Sequence, residues 1–224
     1  MTDPIRIDVW SDIACPWCYI GKRNLEAGLK ATAADEDAPR VEVTFHSYEL
    51  SPDTPVDFHG NEVDFLAEYK GMPHDQVRQM LDRVTGVAAE AGLDYHFEKL
   101  QHTNTVLAHQ LLHFAKEQGL QREMTERLMA AYFVEGHHVG RIDDLVTLAT
   151  EVGLDADAAR EALESDRYLD AVEADKAQAT AYGINAVPFF VIDERYGVSG
   201  AQPPEAFAQI ARQVWAERQG AETV

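Results

Sequence analysis

Cys15 and Cys18 are the only two cysteines of the chain, held in the run Ile13-Ala14-Cys15-Pro16-Trp17-Cys18-Tyr19. A thiolate is a strong nucleophile and a metal ligand, so two thiols at this spacing can close a small disulfide ring or supply half of a zinc site. The element that carries them narrows the choice. Residues 5–10 alternate apolar and polar as a strand does, and residues 16–34 place Leu25 and Leu29 at helical spacing. The cysteines therefore open a helix, where unpaired backbone N–H groups and the positive end of the macrodipole favour a thiolate. Pro16 suits the first turn, where its missing N–H costs nothing. Cys15 is expected at the mouth of the site as the attacking thiol, and Cys18, one turn deeper, as the resolving one.

A second strand is predicted at 41–45, after a charged, proline-containing turn at 35–40. Strand, crossover helix and strand make a βαβ unit, whose strands run parallel. A CxxC beside such a unit points to a thioredoxin-like redox motif. From 51 to 165 strand signals vanish, apart from an irregular patch at 95–97. Helical patterns replace them at 63–69, 74–91, 105–118, 122–133, 143–152 and 157–163. After a helix at 168–182, a strand at 187–193 is introduced by Pro188, its hairpin partner falls at 195–200, and a last helix starts at Pro203 or Pro204. The expected class is α/β, a thioredoxin-like fold (βαβ…αββα) with an all-helical insertion. Residues 1–50 and 166–224 form the discontinuous thioredoxin-like domain, and 51–165 a compact helical subdomain.

With 19 basic against 39 acidic residues, the net charge of -20 argues against a nucleic-acid or anionic-membrane surface. Hydrophobic residues make up 46% of the chain, enough to fill a core. No run approaches the ~18 apolar residues of a membrane span, and the first residues lack the pattern of a signal peptide. A cytoplasmic address is the expectation, and there a CxxC pair serves redox or metal chemistry rather than a structural staple.

The Cys15-Pro16-Trp17-Cys18 motif, paired with Ala186-Val187-Pro188-Phe189-Phe190-Val191 across a helical insert, resembles the DsbA family of thiol–disulfide oxidoreductases. Ser11-Asp12, Leu107-Ala108-His109, Ala131-Tyr132-Phe133 and Val198-Ser199-Gly200-Ala201-Gln202-Pro203 look most like its FrnE-like branch. The resemblance implies Cys15 and Cys18 as catalytic residues and a cis bond between Val187 and Pro188. Val187, Pro188, Trp17 and Pro16 would meet the substrate, with the Val187 backbone pairing an extended segment as a strand edge. Asn104, His109 and Asp12 are expected to line the cleft. The resemblance implies no cofactor beyond the redox-active pair, with glutathione as a thiol partner. It implies a disulfide- or dithiol-containing substrate and a separate, unidentified redox partner. One departure bears on potency: the oxidase DsbA has a histidine between its cysteines, and Pro16-Trp17 stands here, so the thiolate is expected to be less stabilised.

Three alternatives compete. Zinc would need His109 and His113, or His137 and His138, beside the two thiols. The kappa-class glutathione transferases and 2-hydroxychromene-2-carboxylate isomerases share such folds, but typically carry serine at the first cysteine position. A non-catalytic holdase would line a cleft with Met124, Met129, Tyr132 and Phe133, residues whose helical spacing equally describes a core. His46, on the second strand, reads as a satisfied core histidine.

Overall fold

The computed structural model describes residues 3–33, 38 and 40–221. Its sheet is built from β1 (Ile5–Ser11), β2 (Val41–Ser47), β3 (Phe189–Ile192) and β4 (Tyr196–Ser199), in the order β2-β1-β3-β4. β1 and β2 are parallel, with Ile5 opposite Val41 and Ser11 opposite Ser47, as the crossover through α1 (Pro16–Thr32) requires. β3 returns antiparallel to β1, and β4 antiparallel to β3. The strand predicted at 187–193 shortens to four residues. Pro188 has no N–H for the ladder, and Asp193 and Glu194, at φ of 57° and 56°, form the turn that reverses the chain. The turn expected at 35–40 lies mostly outside the described residues.

Alternation along β1 sets its two faces. Ile5, Ile7 and Val9 join Leu25 of α1, Phe190, Ile192 and Phe207 in one apolar cluster, closed by α9 (Pro204–Ala221). The close approach of α9 depends on Gly28, where a Cβ would stand 2.5 Å from the Pro204 carbonyl oxygen. On the other face Trp10 packs with Ala179 of α8 (Leu169–Ala181) and with Ile184.

Between β2 and α8 come α2 (Glu62–Lys70), α3 (His74–Glu90), α4 (Val106–Glu117), α5 (Gln121–Ala130), α6 (Ile142–Glu151) and α7 (Ala156–Glu164). A π-helical turn, Ala131–Glu135, continues α5 where a longer α-helix was expected, and Gly136 ends it at φ 73°. No strand forms at 95–97. The inserted helices share the largest apolar cluster with α1 itself: Cys15, Cys18, Tyr19 and Ile20 pack among Leu111, Met124, Leu128, Tyr132 and Phe133. Glu126 of α5 reinforces this junction, accepting from Tyr19 Oη at 2.6 Å and pairing with buried Lys22 at 2.6 Å and with Arg23. The α2–α3 hairpin instead closes a small cluster of its own around Ala67, Val77 and Leu81. Asn61 and Asp64 start α2 with a reciprocal capping box, and Gly71, left-handed at φ 61°, stops it.

Candidate active site

Cys15 is the residue from which α1 starts, with extended backbone at φ -93° and ψ 112°, and Pro16 occupies the first turn. Its N–H donates to the Asp12 carbonyl at 3.2 Å, and its carbonyl accepts from the Cys18 N–H at 3.0 Å. That tight turn sets the two thiols one above the other. Both are free and nearly solvent-inaccessible, at 3% and 2% exposure. Cys15 therefore does not sit at an open mouth as the sequence led us to expect: the inserted helices roof it, and it lies at the base of a cavity. Trp17, 42% exposed, forms the apolar rim.

The chain segment before β3 faces this helix start. The Val187–Pro188 bond is cis, and Cys15 Sγ lies 3.7 Å from the Val187 carbonyl oxygen. Gly21 makes this approach feasible, because a Cβ there would meet Pro188 Cγ at 2.9 Å. The Pro188 carbonyl accepts from Gly200 N at 2.8 Å, which ties the segment to the end of β4. From the insert, Tyr95 Oη donates to the Pro16 carbonyl at 2.8 Å. Cys18 packs on the inner side. Burial pushes its thiol well above the ordinary range and neighbouring Cys15 adds to this, while the Asp12 backbone N–H and the Ser11 hydroxyl, directed at the sulfur, pull the other way.

The cavity above Cys15 holds about 560 Å³, within the range of small-ligand sites. Asp12, Pro16, Trp17 and Val187 line it as expected. Asp12 is buried beside the helix start and accepts from Leu50 N–H at 2.8 Å, Thr105 Oγ1 at 2.9 Å and Ala14 N–H at 3.2 Å. His109 Nε2 stands 3.4 Å from Asp12 Oδ1. Burial opposes ionisation of Asp12, but His109 and these donors more than offset it and hold the carboxyl below its usual range. His109 itself lies beneath the cavity, fully buried, and does not line it. Asn104 is also absent from the lining: its amide donates to the Pro52 carbonyl and its oxygen accepts from Val106 N–H, so it anchors a loop to the start of α4.

The zinc alternative finds no ligand set among the described residues. His109 turns toward Asp12 while His113, four residues on, contacts Ser47 and Asp175. His138 is spent on the Val56 carbonyl. Met124, Met129, Tyr132 and Phe133 are buried core residues, which removes the cleft a holdase would need from them.

Sequence reasoning took the helical insert as a roof over the site but did not name the residues that form it. Glu62, Phe65, Leu66, Tyr69 and Lys70 of α2 face the cavity, together with Met80, Leu81 and Val84 of α3. Their spacing on α2, with steps of three, one, three and one, is a single helical face, and it was the signal available in the sequence. A buried pair joins the roof to the wall: Glu62 Oε2 lies 2.8 Å from His102 Nδ1, and Phe65 stacks on the imidazole with ring centroids 3.4 Å apart.

Residues 6–211 match the DSBA-like thioredoxin domain family. The chain is 31% identical over 209 residues to the uncharacterized protein YwbO of Bacillus subtilis, covering 91% of this chain and 94% of that one. Among solved structures, a probable DsbA oxidoreductase, SCO1869 from Streptomyces coelicolor, superposes with a TM-score of 0.87 at 39% identity, over 95% of this chain and 91% of that one. The cytosolic disulfide reductase DsbM from Pseudomonas aeruginosa, solved with glutathione, has the same fold at 19% identity and a TM-score of 0.64, over 93% and 98%. The neighbours are consistent with the FrnE-like branch, and the chain belongs to the DSBA-like thioredoxin domain family.

Proposed function

We propose that this chain is a thiol–disulfide oxidoreductase that works through Cys15 and Cys18, in the reducing or isomerising direction and in the cytoplasm. The observation that carries the reading is the meeting of three features: Cys15 at a helix N-terminus, the Val187 carbonyl 3.7 Å from its sulfur, and a second thiol one turn behind. The Cys15 thiolate attacks one sulfur of the substrate disulfide, whose S–S bond breaks as the first thiolate leaves and takes a proton from solvent. Cys18 then gives up its proton and attacks the Cys15 sulfur, expelling the second substrate thiolate. Two electrons and two protons pass to the substrate, and the Cys15–Cys18 disulfide that remains is reduced by an external thiol. Glutathione, present in the DsbM structure, has the chemistry for that step. The high position of the buried Cys18 thiol fits a resolving role, since the group stays protonated until the mixed disulfide forms beside it.

Two single substitutions test the assignment. Cys15→Ser should abolish disulfide reduction, whereas Cys18→Ser should accumulate a mixed disulfide on Cys15, visible as a mass increase after acid quenching. Activity retained in Cys15→Ser would sink the reading. The direction follows from the equilibrium potential of the pair, expected nearer the about -270 mV of thioredoxin than the about -120 mV of DsbA.

A further inference from the structure

A second cavity, of about 420 Å³, adjoins the one above Cys15. The two share Leu50, Ser51, Phe65 and Tyr69, and the second continues outward to Pro55 and Phe58. Tyr69, 58% exposed, lines both, and its Oη donates to the Leu50 carbonyl at 3.3 Å. Aromatic rings run along the shared wall: Phe58 meets Phe65 edge-on at 5.5 Å, and Phe65 stacks on Tyr69 at 5.5 Å. Phe65 is fixed from behind by its stack on His102, which the buried Glu62 holds in turn. Phe65 is thereby held in place, so a further ring packing beside it does so at little entropic cost to the protein.

We propose that this second cavity is a subsite for an aromatic side chain of the substrate, and that the substrate class is a short, cystine-type peptide disulfide rather than a folded protein. The proposal rests on the redox reading above and deepens it. With the scissile sulfur at Cys15 and the backbone beside Val187, a flanking aromatic residue lies along the Phe65–Tyr69 wall. A cavity roofed by α2 and α3 admits a segment of that size. A disulfide buried in a folded domain would have to displace the roof.

The test uses reduced full-length protein in single turnover, with no added reductant. Its substrates are short peptides carrying one cysteine in mixed disulfide with cysteamine, with either phenylalanine or alanine beside the cysteine. Released thiols are counted after acid quenching. The wild-type protein should reduce the phenylalanine peptide at least ten times faster than the alanine peptide at subsaturating concentration. Tyr69→Ala, and independently Phe58→Leu, should each bring that ratio down at least threefold. A wild-type ratio near one, or a ratio unmoved by both substitutions, overturns the subsite. Faster reduction of a folded protein disulfide than of the phenylalanine peptide overturns the substrate class. Failure to reduce any disulfide, or equal rates from Cys15→Ser, brings down the redox reading and the subsite with it, and so differs from the other outcomes.

Discussion

At Asp8 and Trp10, β1 meets β2, α4 and α8 through a partly buried polar cluster centred on the buried Asp175. His46 Nδ1 lies 2.8 Å from Asp175 and its Nε2 2.8 Å from Asp8, while Trp10 stacks on its ring. Asp175 also accepts from Ser47 N–H at 2.8 Å and contacts His113 Nε2 at 3.1 Å, and its carbonyl takes the Trp10 indole N–H. One residue after Trp10, at Ser11 and Asp12, the same strand enters a second buried polar cluster, and there the accounts do not close. Ser11 Oγ, His102 Nε2 and both nitrogens of His109 are buried without a hydrogen-bond partner among the described residues. Folding drives buried polar groups to find partners, so a cluster in which every member has one is explained by stability alone. Around the two cysteines and the cavity the pairing is less even: Asp12 accepts three hydrogen bonds, while the Ser11 hydroxyl is directed only at the Cys18 sulfur. The contrast gives opposite expectations for two side chains: loss of stability on removing the Asp175 carboxylate, and little loss on removing the Ser11 hydroxyl.

The largest effect should come from Asp175→Ala. The change removes an acceptor of His46, of His113 and of the Ser47 N–H at once and leaves the buried Ser47 N–H unpaired. Breaking a buried, hydrogen-bonded charge in this way typically costs about 3–5 kcal/mol. Chemical denaturation of the purified variant checks the value, and a loss under about 1 kcal/mol would mean that the cluster is not what fastens α8 to the sheet.

A smaller effect follows from pH. Burial lowers the His46 pKa, but its hydrogen bonds to Asp175 and Asp8 outweigh this and raise it from 6.5 to about 8. A raised folded-state value means that the stabilisation is complete below pH 6.5 and is lost as pH rises through about 8. That rise corresponds to about 2 kcal/mol. Unfolding free energies measured between pH 6 and pH 8.5 should fall by that order, and His46→Gln should flatten the fall. Asp175, held below the usual carboxylate range, acts at the other end: its contribution is present at neutral pH and is lost only as pH falls through its depressed value.

The two clusters also differed in how far the sequence disclosed them. The element order, the parallel β1–β2 pair and the place of Cys15 at a helix start were legible, because strand alternation, helical spacing and a proline after Cys15 are local signals. Val187–Pro188 came into view through its family resemblance, and the structure places its carbonyl against Cys15. What stayed hidden is non-local. Glu62 and His102 are forty residues apart in sequence and meet only because the α2–α3 hairpin folds over the cavity. Asn104 and His109 lie on the right loop and helix, but Asn104 turns to a loop carbonyl and His109 is buried against Asp12. The face of α2 was written in its spacing, yet nothing in the sequence said that it looks toward Cys15 rather than toward solvent.

The smallest expected effect is at Ser11, on the cavity side of β1, and it is the sharpest test of the contrast. Its hydroxyl is buried with no oxygen or nitrogen partner and is directed only at the Cys18 sulfur, a weak acceptor, so Ser11→Ala removes at most one weak hydrogen bond. Removing a bonded hydroxyl typically costs about 1 kcal/mol, whereas removing a weakly bonded one costs less and relieves its desolvation. The folding free energy of Ser11→Ala should therefore stay within about 0.5 kcal/mol of the wild type or rise, in denaturation of the reduced protein. A loss of 1 kcal/mol or more would show that the hydroxyl already has a full-strength partner. The sulfur of Cys18 is the group at which it is directed, and in that event the loss should shrink in a Cys18→Ala background.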